Sequence, residues 1–113
     1  MNSPLTGPRN RLLAGLPAVD LNLLQPSLEL VDIEARQILE VPGAPITHVH
    51  FVESGLVSVV GTTEPDHRIE VGMIGREGMT GLGVVLGDDR SLNECLVQST
   101  GTAWRIATPA LHK

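Results

Sequence analysis

Two groups of residues in this chain have the types and spacing to do chemistry. The first closes the stretch from Ile69 to Ser91, IEVGMIGREGMTGLGVVLGDDRS, where five of its six glycines (Gly72, Gly75, Gly78, Gly81 and Gly83) stand between apolar runs. Glycine serves where the backbone takes positive φ or approaches another group closely. Backbone amides followed by a guanidinium and a hydroxyl, Arg90-Ser91, form a candidate cradle for an anionic ligand. The alternative is a bulged pair of strands in which Arg90 makes a local surface ion pair with Asp88 or Asp89. The second group is His48-Val49-His50 with Glu53 nearby. Side chains repeat direction every two residues on a strand, so both imidazoles share a face, and with a carboxylate they suit a divalent transition metal. The competing assignment is a pair of histidines on the wet face of a strand.

Composition narrows what these groups can be part of. At 113 residues and 42% hydrophobic content the chain has the size of one globular domain. No apolar run is long enough to span a bilayer, and MNSPLTGPRN lacks the apolar segment of a signal peptide, so a cytoplasmic address and no membrane partner are expected. One cysteine, Cys95, excludes an internal disulfide and reads as a small buried hydrophobe. A net charge of −5, scattered basic residues and only two aromatics, Phe51 and Trp104, argue against nucleic-acid binding by this chain alone. There is no tyrosine, no nucleophile motif and no phosphate loop ending in Lys-Ser or Lys-Thr, which favours a sensor over an enzyme.

The elements that must position these residues are mostly β. Residues 1–9 are expected to be a flexible arm. Asn10 is a candidate N-cap for RLLAGL, and Pro17 opens a second helical turn, with Leu12, Leu13, Leu16, Val19, Leu21, Leu23 and Leu24 as an apolar stripe that Pro26 stops. Eight short segments of strand composition follow: LELVDIE, QILEV, ITHVHFVE, LVSVVGTT, RIEVGMI, LGVVL, LNECLVQ and TAWRIA. Turn signals at Pro42-Gly43, Ser54-Gly55, Glu64-Pro65-Asp66, Gly87-Asp88-Asp89 and Thr100-Gly101 separate them. This pattern predicts a sandwich or barrel of antiparallel strands. Thr108-Pro109-Ala110-Leu111 reads as the start of a further helix.

Helical N-terminus, roll of short strands with glycines at the turns, and nascent C-terminal helix together resemble the cyclic-nucleotide-binding-like effector domain of the Crp/Fnr transcription regulators. VPGAPITHVHFVESGLVSVV resembles that family's second to fourth strands, with Gly43 and Gly55 at two turn glycines, and IEVGMIGREGMTGLGVVLGDDRS resembles its ligand cassette in a GREGM-type version. The resemblance implies a mainly β fold: an antiparallel double-stranded β-helix, or jelly-roll-like β-roll, with short N-terminal helices. It also implies an effector domain over residues 10–113 that ends at the start of the dimerisation helix. In relatives that bind cyclic AMP, a Gly-Glu pair is followed about ten residues later by Arg-Ser or Arg-Thr; the arginine takes the cyclic phosphate and the glutamate the ribose hydroxyl.

Arg90 and Ser91 match the second pair. Without a gap the glutamate position falls on Thr80; aligned on Gly81 with a two-residue deletion it falls on Leu82. The implied ligand residues are therefore Arg90, Ser91, Thr80, Gly81 and Leu82, in a cassette that has lost its carboxylate. No fixed cofactor is implied, and a cyclic nucleotide is the small-molecule effector on offer. A homodimer is expected in the full-length protein, with DNA bound only through a domain missing from this chain, so that the chain is a cut or shortened form. A second resemblance, of His48, His50 and Glu53 to the metal site of the cupins, would make the chain a metal-dependent enzyme. It lacks that family's second motif and third histidine. A stand-alone interaction module is the third alternative.

Overall fold

The computed structural model describes residues 8–63, 67–81, 90, 91 and 93–111. Two short helices, α1 (Arg11–Ala14) and α2 (Ala18–Leu24), and a 3-10 turn (Gln25–Ser27) precede the strands. The strands are β1 (Glu29–Ile33), β2 (Ile38–Glu40), β3 (His48–Thr63), β4 (His67–Ile74) and β5 (Glu94–Ala107), followed by α3 (Thr108–Leu111). Among the described residues all strand pairing is antiparallel, in the order β1-β5-β3-β4, with β2 also on β5. The strand composition predicts the antiparallel β character, and the β-roll is the form that the resemblance implies.

Among the described residues five strands stand where seven of the eight expected segments lie, and two of the assumed turns are the reason. ITHVHFVE and LVSVVGTT merge into the 16-residue β3, and LNECLVQ and TAWRIA into the 14-residue β5. Ser54-Gly55 and Thr100-Gly101 are not reversals. They face each other across the β3–β5 pair, where the register slips between Val52, Ser54, Leu56 and Val57. Gly55 takes φ +89°, and a Cβ there would stand 2.5 Å from the Ser99 carbonyl oxygen. A Cβ on Gly101 would strike the Ser54 carbonyl. Two glycines thus let both long strands bend in step while their backbones nearly touch, the ordinary use of glycine in a bulged corner. The segment LGVVL lies outside the described residues.

The bend gives the sheet two apolar clusters. Val49, Phe51, Trp104 and Ile106 pack with Leu13 and Ile46 under the helices, where Leu16, Leu21, Leu24, Ala110 and Leu111 cover them. Val52, Val57, Val97, Cys95, Ala103 and Ile33 form the second. The helical stripe is narrower than expected: Leu12, Val19 and Leu23 are exposed. The Gly15–Pro17 break separates two helices that do not share one axis, so one stripe cannot run through both.

Asn10 is the N-cap expected, and it does more than cap. It is fully buried; Oδ1 accepts from the Leu12 and Leu13 amides while Nδ2 donates to the carbonyls of Val52 (2.7 Å) and Gly78 (2.8 Å). One side chain thereby ties α1 to β3 and to the glycine-rich stretch. Of the expected arm, Pro8 and Arg9 are described, and the Arg9 amide donates to Glu53 Oε2. At the other end the Thr108 hydroxyl donates to the Ile46 carbonyl at 2.7 Å, fastening the start of α3.

Candidate functional site

The site is built where the turn after β2 meets Arg90 and Ser91. Gly43, at φ +79°, donates its amide to the Ser91 carbonyl (2.8 Å), and the Ser91 amide donates to the Ala44 carbonyl (3.2 Å). Pro45 and Arg90 form an isolated antiparallel bridge. The Arg90 side chain lies exposed along this turn, with Nη1 donating to the Gly43 carbonyl at 2.7 Å. The pair that matched the cassette is thus held by backbone pairing on the Pro42-Gly43 turn. Asp88 and Asp89, the partners in the surface ion-pair alternative, lie outside the described residues.

Beneath the pair sits a carboxylate. Ser91 is buried and its hydroxyl lies 2.8 Å from Glu40 Oε1. Glu40, the last residue of β2, is 9% exposed, and its Oε2 is buried without a hydrogen bond. Gly81, at φ +73°, closes over it: a Cβ there would stand 2.8 Å from Val49 Cγ2 and 3.6 Å from Glu40 Oε2. Arg90, Ser91, Gly81 and Glu40 therefore form one neighbourhood. The Cys95 thiol, paired across the strands with Glu40, is pushed up to about 12, by burial first and then by that carboxylate. A weak thiol hydrogen bond to the Glu40 carboxylate adds to this rise, while no donor meets Oε2 within hydrogen-bond geometry.

Thr80 is placed differently from its expected role. It is buried, its amide donates to the His50 carbonyl (2.9 Å), and its Oγ1 accepts from the His50 amide (3.0 Å). Its hydroxyl stitches the glycine-rich stretch to β3, and no carboxylate stands at this position. Leu82 lies outside the described residues. Glu77 occupies an exposed turn, with its carboxylate on the Gly75 amide.

The metal alternative is not assembled. Glu53 spends both oxygens on backbone amides, Oε2 on Arg9 and Oε1 on Asn10. His48 Nδ1 contacts the Thr47 hydroxyl, and His50 is buried. Among the described residues no three of His, Cys, Asp and Glu lie close enough to hold a metal ion. His50 is pushed down to about 4 by burial, then by Arg105 and His48. The folded form thus binds this proton more weakly than the unfolded chain. The stability His50 contributes is complete above about pH 6.5 and is lost as pH falls toward 4, roughly 3 kcal/mol in all. Urea melts of the parent and His50→Gln should show a shallower acid loss in the variant over that window; parallel pH profiles would refute the assignment.

Two residues of the site region were not among the sequence candidates. Glu40 carries no signal in the sequence: in QILEV it reads as the solvent-facing position, whereas the structure buries it and exposes Ile38 and Val41. Asn10 was found as a cap, but nothing in the sequence marks its bonds to Val52 and Gly78.

A family model described as cyclic nucleotide-binding domain matches residues 30–113. No curated protein matches the chain by sequence. Among solved structures, it is similar to the cyclic-AMP-bound regulatory domain of Toxoplasma gondii protein kinase A, with TM-score 0.78 and 20% identity over 93% of this chain and 40% of that one. It is similar also to the c-di-GMP-responsive global regulator of Xanthomonas campestris, with TM-score 0.70 and 18% identity over 85% of this chain and 47% of that one. The N-terminal domain of a transcriptional regulator from Streptomyces coelicolor A3(2) gives TM-score 0.73 and 14% identity over 99% of this chain and 78% of that one. The chain spans less than half the length of the first two. Among the described residues no helix is long and apolar enough to cross a membrane.

Proposed function

Since the chain belongs to the cyclic nucleotide-binding domain family, we propose that it is the ligand-sensing effector domain of a Crp/Fnr-like transcription regulator, with Arg90 taking the phosphate of a cyclic nucleotide. The observation that carries this reading is the seating of Arg90-Ser91 on the Gly43 turn, against a positive-φ Gly81. That arrangement offers a guanidinium beside close-approach backbone, the natural partners of a phosphate. The bacterial regulators among the similar structures support the transcriptional setting. In this reading the chain does no chemistry. The effector domain itself makes no operator contact in this reading, and the net charge of −5 suits a sensor better than a DNA-contacting surface. Ligand acts by favouring one of two arrangements of the roll against the rest of the regulator.

Calorimetry with cyclic AMP and cyclic GMP tests the site. Arg90→Ala should weaken whichever binds by about 10- to 100-fold, the value of one or two charge-assisted hydrogen bonds. Unchanged affinity in that variant would remove Arg90 from the site.

A further inference from the structure

We infer that Glu40 supplies the carboxylate that the cassette lacks, and that it accepts a hydrogen bond from the ribose 2′-hydroxyl of a cyclic nucleotide held by Arg90; this inference rests on the reading of the site just given. The starting point is an acid that its own surroundings leave short of partners. Glu40 is 9% exposed, and Oε2 is buried without a hydrogen bond. Oε1 is served by Ser91, yet that hydroxyl also lies 2.5 Å from the Asn93 carbonyl, and one proton cannot serve both acceptors. Neither ion pair formed by the described residues involves Glu40: Arg68 pairs with Glu94, and Arg105 with Glu29. A buried acceptor left open is costly, and a water, an ion or a ligand completes it.

The chemistry of the ligand selects what completes it. A carboxylate repels the cyclic phosphate, so it meets a donor instead. A 3′,5′-cyclic nucleotide offers donors in two places: the one free ribose hydroxyl, at C2′, and the amino or imino groups of the base. The hydroxyl is on the carbon next to the one that carries the phosphate. A site for it therefore needs an acceptor beside the phosphate-binding cation, and the base groups lie at the far end of the molecule. Glu40 meets the first requirement, since its carboxylate is bonded to Ser91, the residue following Arg90. Its open oxygen faces the side of Gly81 on which a side chain would stand. Thr80, where the resemblance places the glutamate, spends its hydroxyl oxygen on the His50 amide. The acidic group has thus moved from the cassette to the end of β2, while its place beside the arginine is kept.

Calorimetry of the 113-residue chain with cyclic AMP and cyclic GMP, each beside its 2′-deoxy analogue, tests the inference. The parent should prefer the ribo form by about tenfold or more, the usual consequence of leaving a buried acceptor unpaired. Glu40→Met, which keeps the side-chain length and removes the acceptor, should bind both forms equally and should melt no lower than the parent, because an apolar residue replaces an under-satisfied buried acid. Equal affinity of the parent for both forms overturns the role of Glu40 and leaves Arg90 in place. So does a ribo preference that survives in Glu40→Met, or in Glu40→Leu, which also lacks an acceptor, should the Met variant fail to fold. Absence of binding to any of the four nucleotides overturns the underlying reading and this inference with it.

Discussion

Gly101→Ala should cost the fold about 3–5 kcal/mol, a large share of the stability of a domain this size. The Cβ it adds would collide with the Ser54 carbonyl and press on the Gly55 amide nitrogen, 2.7 Å away. Both are backbone atoms, so no rotamer change relieves the clash, and the two long strands must part at the corner where they cross. Gly72→Ala is the matched control. It makes the same chemical change on β4, where a Cβ meets nothing within 4 Å, and should shift stability by no more than about 0.5 kcal/mol. Urea denaturation of the two variants decides it, and similar midpoints would show that the corner is not closed as described.

Asn10→Ala should cost about 2–4 kcal/mol. Loss of the cap alone accounts for about 1 kcal/mol, and the Val52 and Gly78 carbonyls each lose a donor in a buried setting. The two parts can be separated. Asn10→Asp keeps an oxygen for the Leu12 and Leu13 amides but turns the other toward the two carbonyls, so it should be at least as destabilising as alanine. Asn10→Ser keeps a cap and brings no charge, and should fall between alanine and the parent. A ranking with Asp close to the parent would mean that capping is all Asn10 does. Thermal melts monitored on the single tryptophan, Trp104, are a suitable readout because it packs in the cluster beneath α1.

The β character of the chain was legible because alternation survives along His48–Val52 and the rest of the strand segments, and the sheet is built from those residues. The number of strands was not legible. A Ser-Gly or Thr-Gly pair interrupts alternation in the same way whether the chain reverses or only bends, and the difference lies in what faces it across the sheet. Arg90 and Ser91 were found because a guanidinium after a glycine-rich stretch is a local signal. Glu40 was missed because its meaning is not local: in QILEV it reads as the wet position of a strand, and only the contact with Ser91, far along the chain, turns it inward. Leu12, Val19 and Leu23 were misplaced for a similar reason, since spacing alone cannot say that two short helices lie on different axes.

The slip in register at Gly55 has a consequence for how this sequence can change its length. Before the corner, odd-numbered residues of β3 (Val49, Phe51) face the helices; beyond it Val57 and Val59 face the other cluster, together with Val52. On β5, by contrast, Cys95, Val97 and Ala103 keep one phase throughout. Between Val52 and Val57 five steps of β3 run against six of β5, from Ala103 to Val97, so the extra residue at the corner lies on β5 and β3 changes phase there. A one-residue insertion or deletion elsewhere in β3 would turn a whole arm of the strand inside out. Variation in length is therefore confined to the corner, Glu53–Gly55 on β3 and Gln98–Gly101 on β5, where the pairing is already irregular.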